Sequence, residues 1–351
     1  MPVYTHGGDV LTAQAAWKGE VLDFSTNLNP LGMPAPVRAA AREAAAQSDR
    51  YPDPLCRALR QAIAAYNGVK ETQVVCGNGA ADLIFRLAFA LRPRKALVTA
   101  PTFSEYEEAL TGVGCETVHY TLDPDQNFDL DGGFLEAIGP GVELIFLCTP
   151  NNPTGRLIHQ ELLLAAAERC RRVGAILAVD ECFLPLAAGG PGLAPWLEEY
   201  PNLLLLRAFT KSYAMAGLRL GYALTADEGL REAMGRCAQP WSVSTPAQAA
   251  GVAALRDCPN WAAEGRALAQ GQRPGLAAGL EKLGCRVIPG QANYLLFRLP
   301  GVDDLKERLV GKGILIRSCG NYHGLGPDWY RVCVRTEEEN RRLLAVMKEV
   351  L

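Results

Sequence analysis

Between about residues 73 and 223 the chain alternates short apolar runs with stretches of helical pattern. That alternation limits the available folds more than any other feature. Gln73–Cys76, Ala96–Ala100, Cys115–Thr121, Glu143–Cys148, Ala175–Asp180, Leu203–Arg207 and Arg219–Leu224 read as strands. Ala80–Leu91, Ser104–Val113 and Gln160–Val173 read as helices between them. Runs such as ELIFLC and AILAVD are apolar at consecutive positions, which suits strands covered on both faces. Strands alternating with helices predict an α/β architecture.

After about residue 240 the pattern changes to Ala/Leu-rich helices. Short strands follow at Cys285–Ile288, Tyr294–Arg298, Ile314–Arg317 and Tyr330–Val334, then a closing helix from Glu337, as in an α+β domain. The expected division is an N-terminal segment, 1–45, packing on the small domain; a large domain, 46–240; and a small domain, 241–351. With 351 residues, 49% of them hydrophobic, the chain can bury cores of this size.

Charge points away from nucleic acid and from anionic membranes: 35 basic against 38 acidic residues leave a formal net of −3. No apolar run reaches the ~18 residues that a membrane span needs. The N-terminus lacks the basic-then-apolar pattern of a secretory signal. Eleven scattered cysteines without a C-x-x-C pair fit reduced thiols, with no metal site, in a cytoplasmic protein.

Several short motifs fall at strand ends. Gly77-Asn78-Gly79-Ala80 joins a strand to an apolar helix, where backbone N–H groups and the helix dipole can receive an anion. Asp180 ends a buried strand, where α/β sheets place their sites. Thr210-Lys211 follows the strand run LLLLRAF, and a desolvated lysine there can form a Schiff base. Arg219 lies eight residues on and could hold a phosphate. The segment TPNNPTG (149–155) fixes two asparagines between prolines above a sheet edge. Arg317 and Arg331, near the ends of two C-terminal strands, could clamp a substrate carrying carboxylate or phosphate.

In order, G-N-G-A, P-T-F, N-N-P-T-G, V-D-E, T-K and G-L-R-L-G resemble the fold-type I pyridoxal 5′-phosphate (PLP) enzymes of the aspartate aminotransferase superfamily. Further segments extend the resemblance from residue 6 to about 335. They are His6-Gly7-Gly8, DFSTNLNPLGMP, Arg50-Tyr51-Pro52, FLCTPNNPTG, QPWSV, ANYLL, ILIRSCGNYHGL and YRVCVR. They point to the branch that holds the histidinol-phosphate aminotransferases and, more closely still, to the threonine-phosphate decarboxylases of cobalamin biosynthesis.

The resemblance implies the fold-type I transferase fold, a mostly parallel seven-stranded sheet in the large domain beside a smaller α+β domain. It implies that Lys211 holds PLP covalently and that Asp180 pairs with the ring nitrogen, keeping the ring an electron sink. Asn152 then lies near the 3′-oxygen, and Phe103 stacks on the ring. Gly79 and Ala80 amides, Thr210 and Arg219 form the phosphate cup. Tyr51 reaches the phosphate from a neighbouring subunit, which implies a homodimer with shared sites. Arg331 binds the substrate carboxylate, while Arg317, Asn27 and His6, with Asn152, meet its polar groups.

The implied reaction is decarboxylation of L-threonine O-3-phosphate to (R)-1-amino-2-propanol O-2-phosphate, with phosphoserine as a further substrate. The alternative is histidinol-phosphate-like transamination. Two positions depart from the superfamily pattern: Phe183 stands where many aminotransferases have a tyrosine, and Ala208 where relatives often have a phosphate-binding serine.

Overall fold

The computed structural model describes residues 6–190 and 192–351; the first five residues of the N-terminal segment lie outside them. A seven-stranded sheet runs in the order Val74–Gly77, Gly221–Leu224, Leu203–Ala208, Ile176–Asp180, Leu144–Cys148, Lys95–Ala100, Glu116–Thr121. Of these strands only Gly221–Leu224 runs against the others, antiparallel to both of its neighbours.

The consecutive apolar residues do what their pattern requires. Ile145, Leu147, Leu177, Val179, Leu203 and Leu205 enter one buried cluster, while Leu144, Phe146, Ala178, Leu204 and Leu206 enter another. Side chains alternate between faces with a period of two, so a strand covered on both sides must be apolar throughout. Each such leucine or phenylalanine contributes about 1.5–3 kcal/mol on burial.

The small domain carries a four-stranded antiparallel sheet, Arg317–Ser318, Trp329–Cys333, Tyr294–Arg298, Arg286–Val287. The helices Trp261–Lys282 and Glu337–Val350 pack on it, the latter started by a capping box between Thr336 and Glu339. The expected strand Ile314–Arg317 divides in two. Ile314–Leu315 pairs in parallel with Leu22–Asp23, and Arg317–Ser318 pairs with the strand beyond. Phe24 is buried in this core, so the N-terminal segment is sewn to the small domain there.

Two alanine-rich helices pack otherwise than their place in sequence suggests. Ala35–Ala45 lies against Thr245–Asp257, and both bury residues (Val37; Ala247, Ala250, Ala253 and Ala254) in the core that holds Leu59, Leu205 and Leu224. Alanine faces let helix axes approach closely, and each helix supplies the small surface the other needs. Trp261–Lys282 is the first helix after residue 240 to supply buried residues (Ala269, Leu276 and Leu280) to the core that holds Phe24.

The topology gathers the site. The carboxyl ends of Lys95–Ala100, Leu144–Cys148, Ile176–Asp180 and Leu203–Ala208 share one sheet edge, as does the end of Val74–Gly77. The reversed strand brings its beginning there, because Gly221 is the register partner of both Gly77 and Ala208. Phe103, Asn152, Asp180 and Gly79 come from the ends of four strands, and Lys211 and Arg219 share the connection from Leu203–Ala208 to Gly221–Leu224, so five segments meet at a single edge.

Candidate active site

At one end of this edge, the 12-residue helix Ala80–Leu91 points its amino terminus into the site. Its first amides have no intrahelical acceptor and carry the positive end of the dipole. Gly79 has φ +85°, and a Cβ there would lie 2.7 Å from Arg219 Nη2. Arg219 thus rests on the space that a missing side chain leaves. The Gly79 amide donates to the Gly77 carbonyl (2.8 Å), so Gly79 gives the cup room, and the donors begin at Ala80. The loop is held by Asp82, which accepts from the Asn78 amide (2.7 Å) and is ion-paired to Arg86. Arg86 in turn donates to Ser242 (2.8 Å). Thr210 is buried one residue before Lys211.

Asp180 is buried at the end of its strand. Its Oδ1 accepts from the Cys182 amide (2.8 Å) and its Oδ2 from the Tyr106 hydroxyl (2.7 Å). Burial raises its pKa, and these donors act against the rise. The adjacent Glu181 points to the opposite face. There it is wholly buried in a two-bond ion pair with Arg207 (2.8 and 2.6 Å) and accepts from the Leu193 amide (2.8 Å).

Lys211 sits in the one-turn helix Phe209–Ser212. No carboxylate pairs with it among the described residues. Burial, with Arg331 and Arg219 nearby, brings its pKa down to about 8. Its Nζ lies 5.4 Å from the Phe183 ring centre. Phe183 therefore gives the amine an apolar wall, where a tyrosine would place a hydroxyl. Asn29 clamps the backbone around the lysine: its amide donates to the Lys211 carbonyl (2.9 Å) and its Nδ2 to the Ser212 carbonyl (2.8 Å).

The small domain contributes the guanidinium groups. Arg317 and Arg331 are direct register partners across antiparallel strands, and they are only 8% and 6% exposed. Like charges set opposite each other in a sheet are destabilising, and no carboxylate pairs with either among the described residues. Arg331 donates to Asn152 Oδ1 and to the Ser25 carbonyl (3.0 Å), and its Nε has no partner in the structure. Arg317 donates to the Ser318 carbonyl and to Asn321 Oδ1, both at 2.7 Å. Tyr322 stands between them: its ring lies 5.3 Å from the Arg317 guanidinium and its hydroxyl donates to Asn152 Oδ1 (3.2 Å). Asn27 is buried with both side-chain polar atoms unpartnered.

His6 lies at the mouth, with Nε2 2.9 Å from a Glu105 oxygen and its ring edge-on to Phe103 at 6.3 Å. The glycines after it permit close approach, since a Cβ on Gly7 would fall 2.4 Å from the Ser25 carbonyl oxygen. His6, Gly7, Gly8, Ser25 and Arg317 line a cavity of about 390 Å³. Tyr51 is 77% exposed and stacks on Trp241 at 4.3 Å. Tyr106, Tyr322, Ser25 and Asn29 are the site residues that sequence reasoning missed. The last three lie in segments it quoted as motifs.

The donor set fits one group. A primary amine of lowered pKa suits an aldehyde, and a buried carboxylate suits a protonated ring nitrogen. A helix terminus beside Arg219 suits a phosphate. The chain belongs to the class I and II aminotransferase family, whose model matches residues 19–347. Its cofactor is PLP, the cofactor of that class. Within the family, the chain is 40% identical to threonine-phosphate decarboxylase of Salmonella typhimurium, over 99% of this chain and 96% of that protein. It is 34% identical to histidinol-phosphate aminotransferase of Methanothermobacter thermautotrophicus, over 98% and 92%. The crystal structure of histidinol-phosphate aminotransferase from Clostridium acetobutylicum superposes with TM-score 0.87 at 29% identity, over 94% of this chain and 99% of that one.

Proposed function

We propose that the protein decarboxylates L-threonine O-3-phosphate, releasing CO₂ and (R)-1-amino-2-propanol O-2-phosphate for the nucleotide loop of cobalamin. The observation that carries this is the facing pair Arg317 and Arg331, buried without a carboxylate partner among the described residues. A substrate bearing both a carboxylate and a phosphate supplies the anions that such a pair lacks. The 40% identity to a threonine-phosphate decarboxylase over nearly the whole chain supports the same substrate.

In this reading Lys211 holds the cofactor, Asp180 faces its ring nitrogen and Asn152 its 3′-oxygen. Phe103 lies on the ring. The Ala80 helix terminus, the space at Gly79, Thr210 and Arg219 receive the phosphate. Bound PLP supplies an electron sink for the pair left when the carboxylate departs. Arg331 anchors the substrate carboxylate, while Arg317, with Asn27 and His6, anchors its phosphate. Two fixed ends restrict rotation about the amine–Cα bond and so choose which bond at Cα is held for cleavage. Once substrate displaced it, Lys211 would carry as an ammonium the proton that the substrate's amino group gives up, and would deliver that proton to Cα in place of the lost CO₂. Phosphoserine differs by one methyl, worth ~1–3 kcal/mol in a pocket, so it is a slower second substrate.

The active unit is a homodimer in which Tyr51 of each chain completes the phosphate cup of the other. Its exposure and its stacking on the half-exposed Trp241 support an interface role. We place the enzyme in the cytoplasm because its eleven cysteines are all unpaired. No described helix is long and apolar enough to cross a membrane.

The test is incubation of the PLP-loaded protein with L-threonine phosphate, measuring CO₂ and the amino-alcohol phosphate. A parallel reaction with histidinol phosphate and 2-oxoglutarate measures glutamate. Glutamate formation without CO₂ release would overturn the decarboxylase in favour of the aminotransferase.

A further inference from the structure

We propose that Tyr106 is a positioning residue for the reaction: its hydroxyl holds the Asp180 carboxylate as an anion aimed at the cofactor ring nitrogen. The inference rests on the assignment of Asp180 to that nitrogen and extends it to a residue 74 positions away in sequence.

A carboxylate as deeply buried as Asp180 tends to take up a proton, and the neighbouring Glu181 adds to that tendency. A neutral Asp180 would not hold a proton on the ring nitrogen, and the ring would lose much of its electron-withdrawing power. No lysine, arginine or histidine pairs with Asp180 among the described residues. Its charge is therefore held by hydrogen-bond donors. One is the Cys182 amide on Oδ1, fixed by the turn after the strand, with the Cys182 thiol beside it. The other is the Tyr106 hydroxyl on Oδ2.

Tyr106 is built to donate. It is wholly buried, and burial beside Asp180 pushes its own ionisation far up, so the proton stays on the phenol. Its ring is parallel to Phe146 at 4.8 Å and 6°, and meets Phe103 edge-on at 5.6 Å and 85°. Phe146 belongs to the central sheet, whereas Phe103 is the aromatic placed on the cofactor ring. Tyr106 thus touches both the acid at one edge of the ring and the residue over its face. Tyr106→Phe keeps both ring contacts and removes only the donor.

The experiment uses resting holoenzyme without substrate, so a failed decarboxylase reading would leave it decidable. The ring nitrogen is labelled with ¹⁵N and its signal read by NMR, and the visible absorption of the bound cofactor is titrated with pH. In Tyr106→Phe, the ¹⁵N signal should move toward the unprotonated nitrogen. The absorption midpoint should rise, because a ring without its positive charge leaves the nitrogen joined to Lys211 more basic. Apart from these substrate-free readouts, which decide the proposal, turnover of L-threonine phosphate should fall tenfold or more with KM within about twofold.

Site-specific 3-fluorotyrosine at 106, a stronger donor of nearly the same size, should move the absorption midpoint the other way. It also serves as the test if the phenylalanine variant fails to fold. Asp180→Asn is the control: if it does not shift the ¹⁵N signal, the assigned role of Asp180 itself is wrong. An unchanged ¹⁵N signal and midpoint in Tyr106→Phe, with only thermal stability lowered, would make the hydroxyl a core hydrogen bond and overturn the proposal.

Discussion

The guanidinium of Arg331 donates to the side-chain carbonyl of Asn152, joining a small-domain strand to the loop after the central strand Leu144–Cys148. Tyr322 donates to the same oxygen, so two donors fix the amide orientation of Asn152. On the roles proposed above, a carboxylate at Arg331 would compete with Asn152 for the guanidinium and so couple substrate binding to the residue assigned to the cofactor's 3′-oxygen.

Arg331→Ala should therefore damage substrate handling and spare the cofactor. Losing a two-bond charge-assisted contact corresponds to a fall in kcat/KM of roughly 10²–10³-fold. PLP content, read from visible absorption, should remain near one per chain. Loss of PLP would contradict the assignment of Arg331 to the substrate.

Lys211 makes a pH prediction with a definite sign. Its pKa, brought down to about 8 by burial and by neighbouring cations, leaves much of the amine neutral in mild alkali. The neutral amine is the nucleophile, so reattachment of PLP to apoenzyme should quicken as pH rises and level off above the midpoint. Stopped-flow absorption should place that midpoint near 8. Arg331→Met removes one of the cations and should raise it. A wild-type midpoint at the ordinary lysine value, 10.5, would show that burial and the two arginines do not depress this amine.

Much of this site was legible from local pattern. Apolar runs marked the strands, and Asp180 and Lys211 could be placed because each ends or follows such a run. The remainder depended on contacts distant in sequence. Tyr106 reads as one more core aromatic until Asp180 is seen beside it, and Tyr322 meets Asn152 across 170 residues. The helices Ala35–Ala45 and Thr245–Asp257 have the composition of their small-domain neighbour, and only packing decides that they join the other core. The Gly79 amide turned inward for a similar reason: the tight turn gave it the Gly77 carbonyl as a closer acceptor.

Gly221→Ala tests how closely the cup is built. A Cβ at Gly221 would meet Ala80 N at 2.6 Å and Gly79 C at 2.7 Å, both backbone, at the helix terminus assigned to the phosphate. The helix start must shift, and we expect PLP affinity to fall at least tenfold in equilibrium titration. Gly217→Ala, four residues earlier and with nothing within 4 Å, is the control and should bind PLP as the wild type does.

Glu181 and Arg207 form an ion pair with the carboxylate wholly buried. Glu181→Gln leaves Arg207 without its counter-charge and should cost about 3–5 kcal/mol in apoenzyme stability, read from urea denaturation. The double variant Glu181→Leu/Arg207→Met removes both charges and should recover most of that loss. If the single variant is as stable as wild type, the pair adds nothing despite its burial.

Tyr51 is 77% exposed, and it tests the shared site directly. Tyr51→Ala weakens the cup it serves, and Lys211→Ala abolishes the site that carries it. If Tyr51 serves the partner, a mixed dimer of the two variants contains one site with an intact Lys211 and an intact Tyr51. Random reassociation of equal amounts makes half of the dimers mixed, each with one wild-type site of two. Activity should then recover to about a quarter of the wild-type value. If Tyr51 instead serves its own chain, every site in the mixture lacks one of the two residues and mixing restores nothing.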